Sequence, residues 1–207
     1  MDPFLFAAFL SNSALFLCEV YTLANVRKKK DIFRYYTFLQ NLLALGVSFL
    51  FSVYAFRALF FGCAVPGFVK GLRYTETCGL AAAALIFAVF LSSKEDNLIK
   101  EEDFRHLSPA KANFMIHVFN PLLSLLSLLL FERQLPQPAS LWTLCAALPS
   151  CLYWMVYLIL SAAHLWEGPY VFPSAGQGKK GILTEALTML SIPLSFLLIS
   201  FVLWNLM

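Results

Sequence analysis

Residues 33–61 read FRYYTFLQNLLALGVSFLFSVYAFRALFF, and this stretch decides the fold. A helix crossing the hydrocarbon core of a bilayer needs about 20 mostly apolar residues. From Phe38 to Phe61 the only charged side chain is Arg57. The run is continuous and lacks period-two alternation, so it reads as a membrane helix rather than a barrel strand. Five further stretches qualify on the same grounds: Pro3 to Ala24, Thr75 to Ser92 (with a clean run from Gly79 to Leu91), Pro109 to Phe131, Leu141 to His164, and Gly181 to Met207. The expectation is an all-α membrane protein, a six-transmembrane-helix bundle forming one integral membrane domain over residues 1–207.

Composition agrees. Of the residues, 60% are hydrophobic, 13% are charged and 21 are Phe, with a mean hydropathy of +0.73. A soluble domain carries about 45–50% apolar and about 25% charged residues. Too little charge is present to wrap a core of this size in water. A soluble enzyme, a disordered regulator and a disulfide-stapled secreted module are excluded, and a net charge of +3 is too weak for a nucleic-acid binder. The first span does not read as a cleavable signal, because Met1-Asp2 is acidic where a signal carries Lys or Arg.

Lys and Arg positions set the expected orientation. Eleven of them fall in odd-numbered loops: Arg27, Lys28, Lys29, Lys30 and Arg34, then Lys94, Lys100, Arg105 and Lys111, then Lys179 and Lys180. Three, Lys70, Arg73 and Arg133, fall on the other side. The odd loops are therefore expected in the cytoplasm, with both termini outside. Ser108-Pro109 reads as an N-cap followed by Pro at the first helical position. The aromatic and proline-rich segment Trp166 to Pro173 is expected at the membrane interface. Gly176 to Gly181 lacks the spacing and the terminal Ser or Thr of a phosphate-binding loop. The five cysteines show no metal-ligand spacing; Cys63 and Cys78 bracket the second loop, where a disulfide is open to them in an oxidising compartment.

Ionisable groups inside spans are costly and point to function. Glu19, His117, His164 and Glu185, with Thr37, Gln40, Asn41 and Asn120 as neutral companions, fall at similar depth in the cytoplasmic half of five helices. Arg34, Thr37, Asn41, Ala44, Ser48 and Ser52 share one face of the second helix, and Asn113, His117, Asn120, Ser124 and Ser127 share one face of the fourth. Pro121 removes the donor that the His117 carbonyl would normally receive, so a local distortion is expected there. Polar stripes also pack membrane helices against one another, and that structural reading stands beside the functional one.

Two of these segments, Phe33-Arg-Tyr-Tyr-Thr-Phe-Leu-Gln-Asn-Leu42 and Asn113-Phe-Met-Ile-His-Val-Phe-Asn-Pro121, resemble the androgen-induced gene family. That family includes membrane hydrolases of fatty acid esters of hydroxy fatty acids and many bacterial relatives. Span order extends the resemblance over most of the chain, and Gly168 to Pro173 looks like the aromatic-proline loop of the bacterial branch. The resemblance implies a threonine hydrolase in a bacterial cytoplasmic membrane, with Thr37 as nucleophile and His117 as its base. Such a reaction needs no metal or cofactor, and its partners are a lipid substrate with acyl chains and the membrane lipids themselves. A hydroxyl is a weak nucleophile until a neighbouring base takes its proton, and histidine titrates near neutrality. Glu19, Glu185 or His164 could support the imidazole, and Asn41, Asn120 or Arg34 could stabilise an oxyanion. Two other readings stay open: a non-enzymatic binder or carrier whose polar layer holds a headgroup or ion, and a structural membrane protein.

Overall fold

The computed structural model describes residues 1–26, 35–91, 104–135, 139–163, 165 and 194–207. Helix α1 spans Pro3–Ala24. Its start is built from Asp2, whose Oδ1 accepts from the N–H groups of Phe4 (2.9 Å) and Leu5 (3.3 Å), with Pro3 filling the first helical position. Helix α2 spans Tyr36–Phe61 and ends at Gly62, where φ of 69° gives the left-handed C-terminal geometry that glycine adopts without strain. Helix α3 starts at Gly67, runs to Ile86 and continues as a π-helical segment over Phe87–Leu91.

The next span is composite. Helix α4, Pro109–Phe114, is capped by the Ser108 hydroxyl as the sequence predicts, then opens into a π segment over Met115–Phe119 and resumes as α5, Asn120–Leu130. The expected distortion beside Pro121 is this π segment: the Asn120 N–H reaches back to the Met115 carbonyl. A single 3-10 turn, Glu132–Gln134, closes the span. Pro3–Ala24, Tyr36–Phe61, Gly67–Val89 and Pro109–Gln134 are each long and apolar enough to cross a membrane, which marks the chain as an all-α membrane protein.

Helices α1, α2, α3 and α5 form the central bundle: α2 packs between α1 and α3, and α5 closes the ring against both. At one end, an isolated antiparallel bridge joins Val26 to Phe104, and the Arg105 N–H donates to the Asn25 carbonyl at 2.9 Å. That end is called here the Asn25 end, the other the Gly62 end. A second layer lies outside α2 and α3. It comprises α6 (Trp142–Cys145), α7 (Leu148–Ala162) and α8 (Leu194–Leu206), packed through Tyr36, Ala83, Tyr153, Trp154 and Phe196.

Two expectations change, and the open question of a Cys63–Cys78 bridge is answered. The third span begins at Gly67, not Thr75, so Lys70 and Arg73 belong to a helix and not to a loop. The span expected from Leu141 to His164 is broken at Ala146-Ala147 between α6 and α7. Cys63 and Cys78 are both free thiols: Cys63 is exposed just past α2, whereas Cys78 lies buried about 16 Å along α3 at 1.5 Å per residue.

Candidate functional site

The polar stripes read from the sequence do converge. Thr37, Asn41, Ala44 and Ser48 are all buried, and Ser52 meets Ser13 of α1 at 3.3 Å. On the composite span His117, Asn120, Ser124 and Ser127 are buried too. Together with α1 and α3 they make a polar seam along the inside of the central bundle.

Toward the Asn25 end, the seam joins Asn120 to Asn41 through Nδ2 and Oδ1 at 3.3 Å, and the Asn41 Nδ2 donates to the Thr37 carbonyl at 2.8 Å. Glu19 of α1, with no exposed surface, faces the Asn120 amide and lies in the field of Glu76. Among the described residues neither of its carboxyl oxygens has a hydrogen-bond partner of good geometry. Thr37 precedes Asn41 by four residues and His117 precedes Asn120 by three, or about 6 and about 4.5 Å along two helices that run the same way. Both therefore sit one turn nearer the Asn25 end, at one depth and on neighbouring helices. The π segment packs against α2 at this level.

His117 is only 8% exposed and Thr37 9%. The imidazole lies flat on the Phe87 ring, centroids 3.6 Å apart and planes 6° from parallel. Phe87 opens the π segment of α3, so two widened turns meet face to face at the histidine. Its Nδ1 is buried with no hydrogen-bond partner among the described residues. Arg34, His164 and Glu185 lie outside the described residues.

Toward the Gly62 end the seam becomes a charge network that the sequence reading missed. Arg73, fully buried, donates through Nε to Glu132 Oε1 at 3.1 Å and through Nη1 to Glu76 Oε2, Thr77 and Ser124. Its Nη2 reaches the Ser124 carbonyl at 2.9 Å. Glu132 Oε1 also accepts from Ser127 Oγ at 2.7 Å and Asn12 Nδ2 at 3.0 Å, and Ser124 Oγ donates to Glu76 Oε1 at 3.1 Å. Almost every donor on the guanidinium is used, which is what a buried cation requires. The signal was present in the spacing: Arg73, Glu76 and Thr77 stand three and four residues apart on one helical face.

Gln40 belongs elsewhere. Its Nε2 donates to the Tyr36 hydroxyl at 2.6 Å, which contacts Ser150 Oγ at 2.7 Å. Its Oε1 lies against Gly79, so close that a Cβ there would overlap it. On this side α2 and α3 wall off an apolar cavity of about 980 Å³ between the bundle and α6–α7, with Tyr36, Gln40 and Thr75 as polar points among Leu43, Leu72 and Leu152. That volume is at the upper end of the usual range for ligand pockets, about 300–1,000 Å³. Thr37 and His117 do not line it.

Comparison with protein-family models, with curated proteins and with solved structures gives no match.

Proposed function

We propose that the protein is an intramembrane hydrolase of fatty-acyl esters, such as fatty acid esters of hydroxy fatty acids, with Thr37 as nucleophile and His117 as base. The observation that supports this reading is the Asn41–Asn120 hydrogen bond at 3.3 Å, because its register carries Thr37 and His117 to one depth on adjoining helices. The Thr37 hydroxyl forms a bond to the ester carbonyl carbon while its proton passes to the imidazole. The alkoxide leaves with that proton, and water then cleaves the acyl-threonine. The resemblance of residues 33–42 and 113–121 to the androgen-induced gene family points the same way. The proposal includes the finer topology: six spans, with α6–α7 and the region ending in α8 as the last two, in a bacterial cytoplasmic membrane with both termini outside.

A second reading, a non-enzymatic lipid binder, is favoured by one feature. The large apolar cavity has Tyr36, Gln40 and Thr75 on its wall rather than Thr37 and His117. One experiment separates the two. The purified protein in lipid nanodiscs is given a fatty acid ester of a hydroxy fatty acid, and in parallel a fluorophosphonate probe. Hydrolysis requires release of free fatty acid, its loss in Thr37→Ala, its retention in Thr37→Ser, and a fall of about 10²–10⁴-fold in His117→Ala. Probe labelling that persists in Thr37→Ala removes the nucleophile. Ester recovered intact from a lipid-loaded protein establishes the binder.

A further inference from the structure

Arg57 is the one charged side chain of α2, four residues and about 6 Å short of its Phe61 end. It is exposed on the outside of the bundle, and among the described residues it makes no ion pair. Its guanidinium carbon lies 5.7 Å from the centre of the Tyr54 ring, a contact that orients the group without supplying a counter-charge. A cation inside a span is costly, and a long side chain relieves that cost by reaching for the headgroup layer. Such reaching needs no cavity beside it. Here a groove of about 340 Å³ between α1 and α2 begins at Arg57 and runs toward the middle of the span. Sequence spacing builds it: Phe9 and Phe16 on α1, like Phe49 and Phe56 on α2, stand seven residues apart and so share a face. Phe9 meets Phe56 with ring centres 6.2 Å apart, and Phe16 meets Phe49 at 5.3 Å. Midway, Ser13 and Ser52 hydrogen-bond at 3.3 Å, and their small side chains leave a notch that the four rings flank. Phe49, Val53 and Phe56 are exposed, so the groove opens to lipid and not to the polar seam.

We propose that this groove holds one acyl chain of an anionic phospholipid whose phosphate pairs with Arg57, in the leaflet that borders the Gly62 end. Charge complementarity selects the head: the lining carries one cation and no carboxylate. A guanidinium donates in parallel to two phosphate oxygens, and that pairing is among the strongest hydrogen-bonded contacts. A zwitterionic headgroup brings its own cation and gains less. Depth selects a lipid over a free anion. From Arg57 to Phe49 is eight residues, about 12 Å, against about 15 Å for half of the hydrocarbon core. The cation therefore stands near the headgroups, and the aromatic walls lie where an acyl chain runs. The volume is near the lower end of the range for ligand pockets, about 300–1,000 Å³, which suits one chain and not the whole lipid. Arg57 is twenty residues along α2 from Thr37, so the site does not rest on the hydrolase reading, and its test measures binding rather than turnover.

The test uses the full chain, delipidated in detergent, and native mass spectrometry with phosphatidylglycerol or phosphatidylcholine of identical acyl chains. One phosphatidylglycerol per protein is expected to be retained at a concentration about tenfold below that needed for phosphatidylcholine. Arg57→Gln is expected to lower phosphatidylglycerol retention about tenfold and to leave phosphatidylcholine unchanged. Ser52→Leu keeps the cation, fills the notch and is expected to lower phosphatidylglycerol retention by a similar factor. Equal retention of the two lipids by the wild type would overturn the proposal. So would wild-type retention of phosphatidylglycerol in Arg57→Gln, which would place the lipid on another cation. Loss in Arg57→Gln with none in Ser52→Leu reduces the site to a headgroup contact and also overturns it. If either variant does not fold, wild-type protein crosslinked to phosphatidylglycerol with a mid-chain diazirine decides. Attachment to Phe16, Phe49 or Val53 supports the groove, and attachment confined elsewhere excludes it.

Discussion

At the scale of single residues, Arg73 shows how a membrane protein holds a charge where none is cheap. The guanidinium touches two carboxylates, two hydroxyls and a carbonyl, all buried. Removing one partner from such a group leaves the others uncompensated, at a cost of about 3–5 kcal/mol. Arg73→Met is therefore expected to destabilise the protein by that order, read as a shift in the denaturant midpoint. The triple variant Arg73→Met, Glu76→Gln, Glu132→Gln is expected to recover most of the loss, since it removes charge from both sides. A triple variant no more stable than Arg73→Met would show that the network is not a balanced unit. From the sequence, Arg73 reads as a loop residue because it precedes the clean apolar run from Gly79 to Leu91. Burial of an Arg is legible only once its partners are known, and Glu132 and Ser124 lie 59 and 51 residues downstream. By contrast, Glu19, Asn41, Asn120, Thr37 and His117 were legible, because depth along a straight helix follows from counting residues.

At the scale of elements, the composite span carries the histidine on a turn that is not α-helical. Pro121 cannot donate to the His117 carbonyl, and the turn before it widens so that the Asn120 N–H meets Met115 instead. The extra residue in that turn sets the direction of His117 relative to Asn120 and Ser124, and it brings the imidazole onto Phe87. This much follows from the sequence, since a Pro four residues after a polar group is visible in it. The matching π segment at Phe87–Leu91 does not, because no Pro marks it. Pro121→Ala restores the missing donor and allows a regular helix. The bundle is expected to stay folded, its packing residues being unchanged, while the imidazole rotates off Phe87. Ester hydrolysis is then expected to fall by about 10²-fold, the scale on which small displacements of a reacting group act. Unchanged turnover with an unchanged melt would show that the π geometry has no part in positioning His117.

At the scale of the molecule, α2 and α3 divide two environments: a polar seam shared with α1 and α5, and an apolar cavity shared with α6 and α7. The four long helices were legible from length and hydropathy, and three of them both begin and end within a few residues of expectation. The break at Ala146-Ala147 was missed although Pro149 signals it: Pro149 has no N–H for the Cys145 carbonyl, and α6 ends at Cys145. Lys70 and Arg73 lie in the first two turns of α3 and so stay toward the Gly62 end. The connection from Gly62 to Pro66 holds no basic residue, while Arg105 and Lys111 lie at the Asn25 end of the bundle. Cys63, exposed in that short connection, is a native reporter of it. In a Cys151→Ser background, which removes the exposed thiol of α7, a membrane-impermeant maleimide is expected to label intact cells through Cys63 and to label Cys63→Ser not at all. Cys78 stays silent because it is buried between Tyr74 and Leu128. Labelling confined to inverted vesicles would reverse the orientation. The end of the bundle that bears Thr37 and His117 would then face away from the cytoplasm, and the site would draw its ester from outside.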